Sequence, residues 1–334
     1  SIMATTSRSK SRSRSPSARR SGSQDKREYS ERIRDAVPVG KDDAAFLLGK
    51  NGSTKKKLAR VSCAELDLDE HDLQLHIYGT EVQCKRAKDY ANYVTQQRVG
   101  PVYIDLTKET RDDLTVVEVP EDCVGFVMGR GGATLRSMEE EWGTLMFFAQ
   151  VRAPNDDEAE KLCIFGTLRA RRGAELKVMS AVEHKHPGHF VRGESLLECT
   201  RAVGDDADED WGTDTMLLSE EEFSYALGSK GSTRRKLATA AGCILEYVGK
   251  LACICGYRKE RRRAKDYIRW LIMQRTGVVS VDVLDREDVT VVEVPAGSVG
   301  FITGYRGESL RRIEAMSGTF CFTDGGEGEL SKSK

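Results

Sequence analysis

Short apolar runs alternate with polar and glycine-rich stretches along the chain, and residues 113–188 show this pattern most clearly. The pattern predicts elements in the order strand, helix, helix, strand, strand, helix: Thr115–Val119, Val124–Met128, Ala133–Trp142, Thr144–Phe148, Leu162–Phe165 and Arg169–His186. The first is a β-branched run closed by Pro120, which is typical of a strand. The third places Leu135 and Met138 three residues apart, as an amphipathic helix requires.

Internal repetition extends this pattern over most of the chain. Asp113–Phe148 aligns without gaps to Asp288–Thr323, with identity at 18 of 36 positions. Upstream of each copy, Lys85–Gly100 matches Arg262–Gly277 at 8 of 16 positions. The sequence therefore contains a block of roughly 150 residues that has been duplicated.

Each block also contains a shorter repeat, in which Gly-x-x-Gly separates two helical segments. This motif occurs at Gly49–Gly52, Gly129–Gly132, Gly228–Gly231 and Gly304–Gly307. Because glycine tolerates positive φ and lets another backbone approach, each motif predicts a sharp turn between two helices. The sequence therefore predicts four small units in two pairs.

The second and fourth units resemble the type I KH domain. The strings VGFVMGRGGATLRSMEEEWGT (Val124–Thr144) and VGFITGYRGESLRRIEAMSGT (Val299–Thr319) carry the family's apolar turn, its Gly-x-x-Gly loop and an aliphatic residue three places on. The first and third units keep the loop and the following helix but lack the preceding Val-Gly. The resemblance implies an α+β fold of tandem type I KH domains (β-α-α-β-β-α), three complete and a fourth truncated, in two duplicated pairs.

The predicted boundaries follow from these units. They are a disordered Arg/Ser-rich tail at 1–34, a KH domain at 35–100, a KH domain with a preceding short strand at 101–188, an acidic linker at 189–212, a KH domain at 213–277 and a partial KH domain with a Gly-rich end at 278–334. The fourth unit ends after Thr323 without a predicted third strand or final helix. Between the two units of each pair the sequence predicts one additional short strand, at Val102–Leu106 and at Val281–Leu284. These two strands are expected to hold each pair of units as one rigid body.

KH domains clamp about four nucleotides of single-stranded nucleic acid, with the Gly-x-x-Gly loop against the backbone. Glycine lets phosphate approach main-chain N–H groups at a helix N-terminus, and basic side chains add attraction. The resemblance implies the following RNA-binding residues: Gly49, Lys50, Asn51, Gly52, Lys55, Lys56, Gly129, Arg130, Gly131, Gly132, Leu135, Arg136, Gly228, Ser229, Lys230, Gly231, Arg234, Arg235, Gly304, Tyr305, Arg306 and Gly307. Lys57 and Lys236 are expected to extend this basic face. Further groove candidates, about half of which are expected to be core residues, are Leu48, Leu58, Met128, Leu227, Leu237 and Leu310.

Charge is distributed unevenly along the 334 residues, although 52 Lys and Arg nearly balance 53 Asp and Glu. Residues 1–34 carry ten basic and three acidic residues, a balance of +7, which leaves −8 for the remainder. The tail resembles the RS segments of nuclear RNA-processing proteins, whose partner binding is controlled by phosphorylation. A generic basic tail or a nuclear-import patch is the alternative reading. We expect a nuclear protein, with shuttling to the cytoplasm and protein partners through the tail as open alternatives.

Other functional classes find little support in the sequence. No run approaches the ~18 to 20 apolar residues of a membrane-spanning helix. Gly52 is followed by Ser53 and Thr54, so the first loop does not satisfy the P-loop pattern of nucleotide hydrolysis. Cys253 and Cys255 alternate along a predicted strand and lack a second pair at zinc spacing.

No metal, cofactor or catalytic residue is therefore expected. The predicted function is non-catalytic binding of single-stranded RNA in post-transcriptional mRNA regulation or processing. The alternatives are a protein-interaction scaffold whose KH folds have partly lost RNA binding, and binding of single-stranded DNA.

Overall fold

The computed structural model describes residues 2–5, 31–108, 111–154, 156–197, 210–277, 279–284 and 286–323. The described residues form two compact units: those within 31–178 make the amino-terminal unit, and those within 2–5, 179–197 and 210–323 make the carboxy-terminal unit. Within them we name four segments: repeat 1 (33–99), repeat 2 (114–178), repeat 3 (211–276) and repeat 4 (289–323). The first strand, β1 (Ile2–Thr5), belongs to the carboxy-terminal unit.

The amino-terminal unit contains repeats 1 and 2. Repeat 1 comprises β2 Ile33–Pro38, α1 Lys41–Leu48, α2 Ser53–Ser62, β3 Glu65–Asp69, β4 Gln74–Gly79 and α3 Glu81–Val99. Next come β5 Tyr103–Asp105 and then, beginning repeat 2, β6 Leu114–Val117, α4 Glu121–Met128, α5 Ala133–Trp142, β7 Leu145–Arg152, β8 Ala159–Phe165 and α6 Leu168–Lys185. The last turns of α6, from Met179 on, belong to the carboxy-terminal unit. The sheets have strand orders β2-β4-β3 and β5-β7-β8-β6, and every pairing except β5 with β7 is antiparallel.

The carboxy-terminal unit repeats this plan. A hairpin of β9 Val191–Arg192 and β10 Ser195–Leu196 precedes repeat 3, which comprises β11 Trp211–Leu217, α7 Glu220–Leu227, α8 Ser232–Ala241, β12 Ile244–Val248, β13 Leu251–Tyr257 and α9 Arg258–Thr276. Repeat 4 comprises β14 Val289–Val292, α10 Ala296–Thr303, α11 Glu308–Ser317 and β15 Phe320–Thr323. The sheet orders are β11-β13-β12 and β14-β1-β15.

The mixed helix and strand fold predicted from the sequence is confirmed, and in repeat 2 all six predicted elements form in the predicted order. Helix α5 has the predicted bounds, whereas α4 begins earlier, directly after Pro120. Strand β7 runs on to Arg152, because Ala149–Val151 continue the antiparallel pairing with β8. The local apolar pattern therefore identified every element of repeat 2, but both ends correctly only for α5.

The paired repeats share one hydrophobic core. In the amino-terminal unit, Leu58 and Tyr90 of repeat 1 belong to the same buried cluster as Phe147 and Phe165 of repeat 2. The rings of Tyr90 and Phe165 lie 5.3 Å apart between centroids. The carboxy-terminal unit has the same relationship, because Tyr267 and Trp270 of α9 pack in one cluster with Phe320 and Phe322 of β15. Each pair of repeats is thus built around one common core.

The first of the two predicted extra strands forms. Strand β5 pairs in parallel with the end of β7, and the backbone N–H of Gln150 donates to the Val102 carbonyl at 2.8 Å. The second prediction is wrong, since residues 281–284 form no strand, although Val281 and Val283 pack against the core. The partners equivalent to Gln150–Arg152 would follow Thr323 and lie outside the described residues.

The amino-terminal tail, predicted to be disordered over residues 1–34, forms strand at Ile2–Thr5 and again at Ile33 and Arg34, which begin β2. Strand β1 lies between β14 and β15 and is antiparallel to both, with Met3 opposite Val291 and Phe322. In repeat 2 the equivalent place, between β6 and β7, is occupied by β8. Repeat 4 was predicted to lack a third strand, and the other end of the chain supplies one. Residues 6–30 of the predicted tail and 198–209 of the predicted linker lie outside the described residues.

Candidate nucleic-acid interface

The four Gly-x-x-Gly loops have the same backbone conformation. Their first glycines have φ between 66° and 69° with ψ between 174° and 177°, and their second glycines have φ between 71° and 77°. In each loop the N–H of the second glycine donates to the carbonyl of the first at 3.1 Å. The third position also has positive φ in all four loops, at Asn51, Gly131, Lys230 and Arg306.

The first glycine of each loop is required by its surroundings as well as by φ. A Cβ on Gly129 would lie 2.0 Å from Thr134 Oγ1 and 2.9 Å from the Thr134 backbone nitrogen. The same clash recurs at the other three loops, with Thr54, Thr233 and Ser309. The second helix therefore starts immediately against the turn, and its first N–H groups lie beside the loop.

Four of the predicted basic loop residues, Lys50, Arg130, Lys230 and Arg306, are exposed to solvent. A second basic side chain follows each loop, four residues after the second glycine: Lys56, Arg136, Arg235 and Arg311. Arg136 Nη2 donates to the Gly131 carbonyl at 2.7 Å, and Arg235 Nη1 donates to the Lys230 carbonyl at 2.9 Å. Arg311 was not among the predicted residues, although the spacing shared by the four units identifies it.

Arg234, in contrast, does not lie on the exposed face that the sequence predicted. Its side chain is buried, forms an ion pair with Glu246 and donates to the Leu245 carbonyl at 2.8 Å. The face of α8 that carries Arg234 packs against β12, while its neighbour Arg235 remains exposed. Arg234 therefore stabilises repeat 3 internally.

Lys57 and Lys236 also have structural partners. Lys57 Nζ lies 2.7 Å from Glu139 Oε2, and Lys236 Nζ lies 3.0 Å from Glu314 Oε1. Each carboxylate is buried in the second repeat of its pair. Both lysines therefore join paired repeats rather than simply extending a basic surface.

A groove of about 470 Å³ lies beside the second loop. Helices α4 and α5 form one side with Met128, Leu135 and Arg136, and β7 forms the other with Leu145–Phe148. Repeat 1 adds a third wall, to which Phe46, Thr54 and Lys57 contribute. The sequence predicted that Leu135 and Met128 line this groove. It did not predict the wall from repeat 1, because residues that are distant in the chain leave no pattern in the sequence around the second loop.

The other aliphatic candidates divide between core and surface. Leu58 and Leu237 are fully buried in the cores of their units, whereas Leu48, Leu227 and Leu310 are partly exposed.

One further shared feature escaped the sequence reasoning. Three residues before the first glycine, each unit exposes an aromatic side chain: Phe46 (42%), Phe126 (45%), Tyr225 (41%) and Phe301 (88%). Exposed aromatic rings provide stacking surfaces for unpaired bases.

One expectation about other chemistry concerns the cysteine residues. Cys253 and Cys255 are both buried on β13, and burial raises the pKa of the Cys163 thiol in repeat 2 to about 12. Among the described residues, no group of three His, Cys, Asp or Glu side chains is placed to hold a metal ion.

The helices of the described ranges include none with the length and apolar character to cross a membrane.

Comparison with known proteins finds a family similarity in one part of the chain. The family model described as KH domain matches residues 114–180. Polyribonucleotide nucleotidyltransferase from Chlorobaculum tepidum is 29% identical over 84 residues, which cover 25% of this chain and 11% of that protein. The matched region is therefore a small part of that relative's length.

Solved structures give weaker likenesses. Dim2p from Pyrococcus horikoshii has a TM-score of 0.21 and 19% identity, covering 44% of this chain and 88% of that chain. The a/eIF2alpha-aDim2p-rRNA complex from the same organism gives a TM-score of 0.20 and 18% identity, over 47% of this chain and 89% of that chain. The sequence match to residues 114–180 agrees with the element order there, so this segment is similar to a KH domain.

Proposed function

We propose that the protein is a non-catalytic binder of single-stranded RNA, built of four KH units in two pairs. The observation that carries this proposal is the common backbone geometry of four Gly-x-x-Gly loops, each with an exposed basic side chain. The KH match at residues 114–180 supports RNA binding in general, because KH loops clamp the sugar-phosphate backbone of single strands.

The loops suit phosphate for two physical reasons. Helices α2, α5, α8 and α11 each begin directly after the second glycine, so the first N–H groups and the positive end of the helix dipole lie beside the loop. The exposed side chains at Lys50, Arg130, Lys230 and Arg306 add a cation at each loop. The groove of repeat 2 then offers Met128, Leu135 and Phe147 as apolar contacts for bases.

Affinity is expected to come from several units acting together. A single unit contacts few phosphates, and linked sites raise the overall affinity by roughly 10² to 10⁴ where the geometry permits simultaneous binding. We therefore expect modest affinity for very short RNA and a steep gain with length.

The decisive experiment changes three loops without removing a glycine at either end. Lys50-Asn51, Arg130-Gly131 and Ser229-Lys230 are each replaced with Asp-Asp, and binding of a random-sequence single-stranded RNA is measured against salt concentration. We expect an affinity loss of at least about 10² and a shallower salt slope. Lys259→Asp with Arg262→Asp, two exposed residues of α9 outside the loops, is the charge-change control. Unchanged affinity and slope in the triple variant would refute the proposal.

A protein-interaction scaffold is the second candidate, and the −8 balance of residues 35–334 favours it. Single-stranded DNA is the third. Competition of RNA, DNA of the same sequence and duplex RNA for the wild-type chain separates these readings. Failure of every nucleic acid to bind would favour the scaffold.

The cellular part of the proposal is a nuclear role in mRNA processing or other post-transcriptional regulation. It rests on the RS-like composition of the tail, which is itself a proposed partner-binding segment. Crosslinking and sequencing of RNA bound in cells, with imaging of the tagged chain with and without residues 6–30, tests it.

A further inference from the structure

In the carboxy-terminal unit, a cavity of about 350 Å³ lies between α8 of repeat 3 and α11 of repeat 4. Ser232, Thr233 and Arg235 line one side, and Arg311 and Thr319 line the other. On one side the lining starts at Ser232, the first residue of α8, and on the other side at Arg311, one turn into α11. The cavity therefore lies between the two helices that follow the loops of this pair.

The charge in this cavity is not balanced. Lys236 is paired with Glu314, whose Oε1 also accepts from the Cys321 backbone N–H at 2.9 Å. The Glu314 carboxylate thus already has a cation and a backbone N–H as partners. Arg235 and Arg311 form no ion pair among the described residues, so the cavity holds two guanidinium groups without a matching carboxylate. Guanidinium groups beside hydroxyl donors suit a phosphate oxygen.

The amino-terminal unit repeats part of this arrangement in its groove; the exception is Lys56, the counterpart of Arg235, which is not among the residues that line it. Thr54, Lys57, Arg136 and Glu139 occupy the places of Thr233, Lys236, Arg311 and Glu314 in the duplicated alignment, and all four line that groove. The same threonine, lysine, arginine and glutamate thus lie between the two helices of each pair.

We infer that the cavity between the paired second helices is a phosphate site, which holds one backbone phosphate of an RNA strand passing from the first loop of a pair to the second. This inference rests on the proposed function and deepens it. The binding unit becomes the pair of repeats, and the strand path is continuous across both loops rather than two separate clamps.

The test uses the full chain with the amino-terminal loops disabled by Asp-Asp at Lys50-Asn51 and Arg130-Gly131. Random-sequence RNA of about five and about ten nucleotides is compared, because one KH unit contacts about four nucleotides. Arg235→Gln, Arg311→Gln and their double variant form a cycle. Arg312→Gln is the matched control, because Arg312 is exposed and adjacent but does not line the cavity.

For the longer RNA we expect each single variant to bind about tenfold more weakly, the size of one charge-assisted contact, with a salt slope lower by about one. The double variant is expected to lose less than the product of the single losses, because both guanidiniums hold one phosphate. The shorter RNA shows no such coupling. Independent losses with the longer RNA, or an Arg311→Gln affinity equal to that of Arg312→Gln, would overturn the inference. Failure of the unmodified chain to bind either RNA would instead refute the proposed function.

Discussion

The hydroxyl of Tyr90 donates a 2.7 Å hydrogen bond to Oδ2 of Asp113 and so joins the last helix of repeat 1 to the entry of repeat 2. Arg111 clamps the same carboxylate with Nε and Nη2, each at 2.9 Å. The carboxy-terminal unit repeats the joint, since Tyr267 donates to Asp288 at 2.8 Å. The tyrosine of each duplicated Lys-Asp-Tyr string, residues 88–90 and 265–267, thus contacts the aspartate of the Arg-x-Asp string, residues 111–113 and 286–288, that follows it in the same pair.

Removing this hydroxyl is expected to destabilise the amino-terminal unit. Tyr90→Phe keeps the buried ring but leaves Asp113 without one donor, and a hydrogen bond to a charged group contributes about 1.5 to 3 kcal/mol. Urea unfolding of the full chain measures the loss. Tyr78→Phe, a partly exposed position at Arg34, is expected to change the free energy of unfolding by less than about 0.5 kcal/mol. Equal effects of the two substitutions would contradict the prediction.

Acid is expected to weaken the same joint. Burial alone would raise the pKa of Asp113, but the hydrogen bonds and charge of Arg111 outweigh it and hold the pKa below the ordinary value. The pKa of Asp288 is lowered likewise, by Arg286 and Tyr267 against burial. A lowered folded-state pKa contributes stability that is fully present above the unfolded value, about pH 4, and is lost as pH falls through the folded value.

Stability measured from pH 7 to pH 2 checks this dependence. The wild-type chain should lose stability below about pH 4, and Asp113→Asn with Asp288→Asn should flatten that part of the curve while lowering stability at pH 7. A curve of unchanged steepness in the double variant would show that other carboxylates dominate the acid response.

Substitution of the first loop glycine should be far more costly than substitution of a nearby helical glycine. In Gly129→Ala the new Cβ meets Thr134, and φ is +69°. We expect a loss of at least about 1 to 3 kcal/mol in the free energy of unfolding. Gly125→Ala places its Cβ in open space within α4 and should stabilise the chain by about 0.5 to 1 kcal/mol. Thermal unfolding distinguishes the two, and equal effects would argue against the strained turn.

Strand β1 should protect the sheet of repeat 4. As the middle strand it pairs with both β14 and β15, so Met3→Pro removes a backbone donor where proline is poorly tolerated. Hydrogen exchange at Val289–Val292 and Phe320–Thr323 should become faster. Met3→Val retains the N–H and serves as the control. Unchanged exchange in the proline variant would mean that β14 and β15 are stabilised without β1.

Sequence reasoning succeeded where the determining interactions are local. The six elements of repeat 2 follow from β-branched runs, Pro120 and helical spacing, all within a few residues of the element concerned. It could not tell that Arg234 is buried and Arg235 exposed, because the two are adjacent on α8 and only the position of β12 decides which of them is covered. The strand at Ile2–Thr5 and the wall containing Phe46 depend on segments distant in sequence, which leave no periodic signal nearby.

Substitutions at the ion pair of Lys57 and Glu139 test whether Lys57 stabilises the fold or contacts RNA phosphate. Glu139 is buried and also accepts from the Met146 N–H at 2.8 Å, so Lys57→Met leaves its charge without a cation. Breaking a fully buried pair costs about 3 to 5 kcal/mol, and we expect less here because Lys57 is partly exposed. Adding Glu139→Gln should recover part of this loss. Urea unfolding and RNA titration against salt concentration together decide the role of Lys57. We expect Lys57→Met to lower the stability and to leave the salt slope of RNA binding unchanged. Unchanged stability with a salt slope lower by about one would instead make Lys57 a phosphate contact.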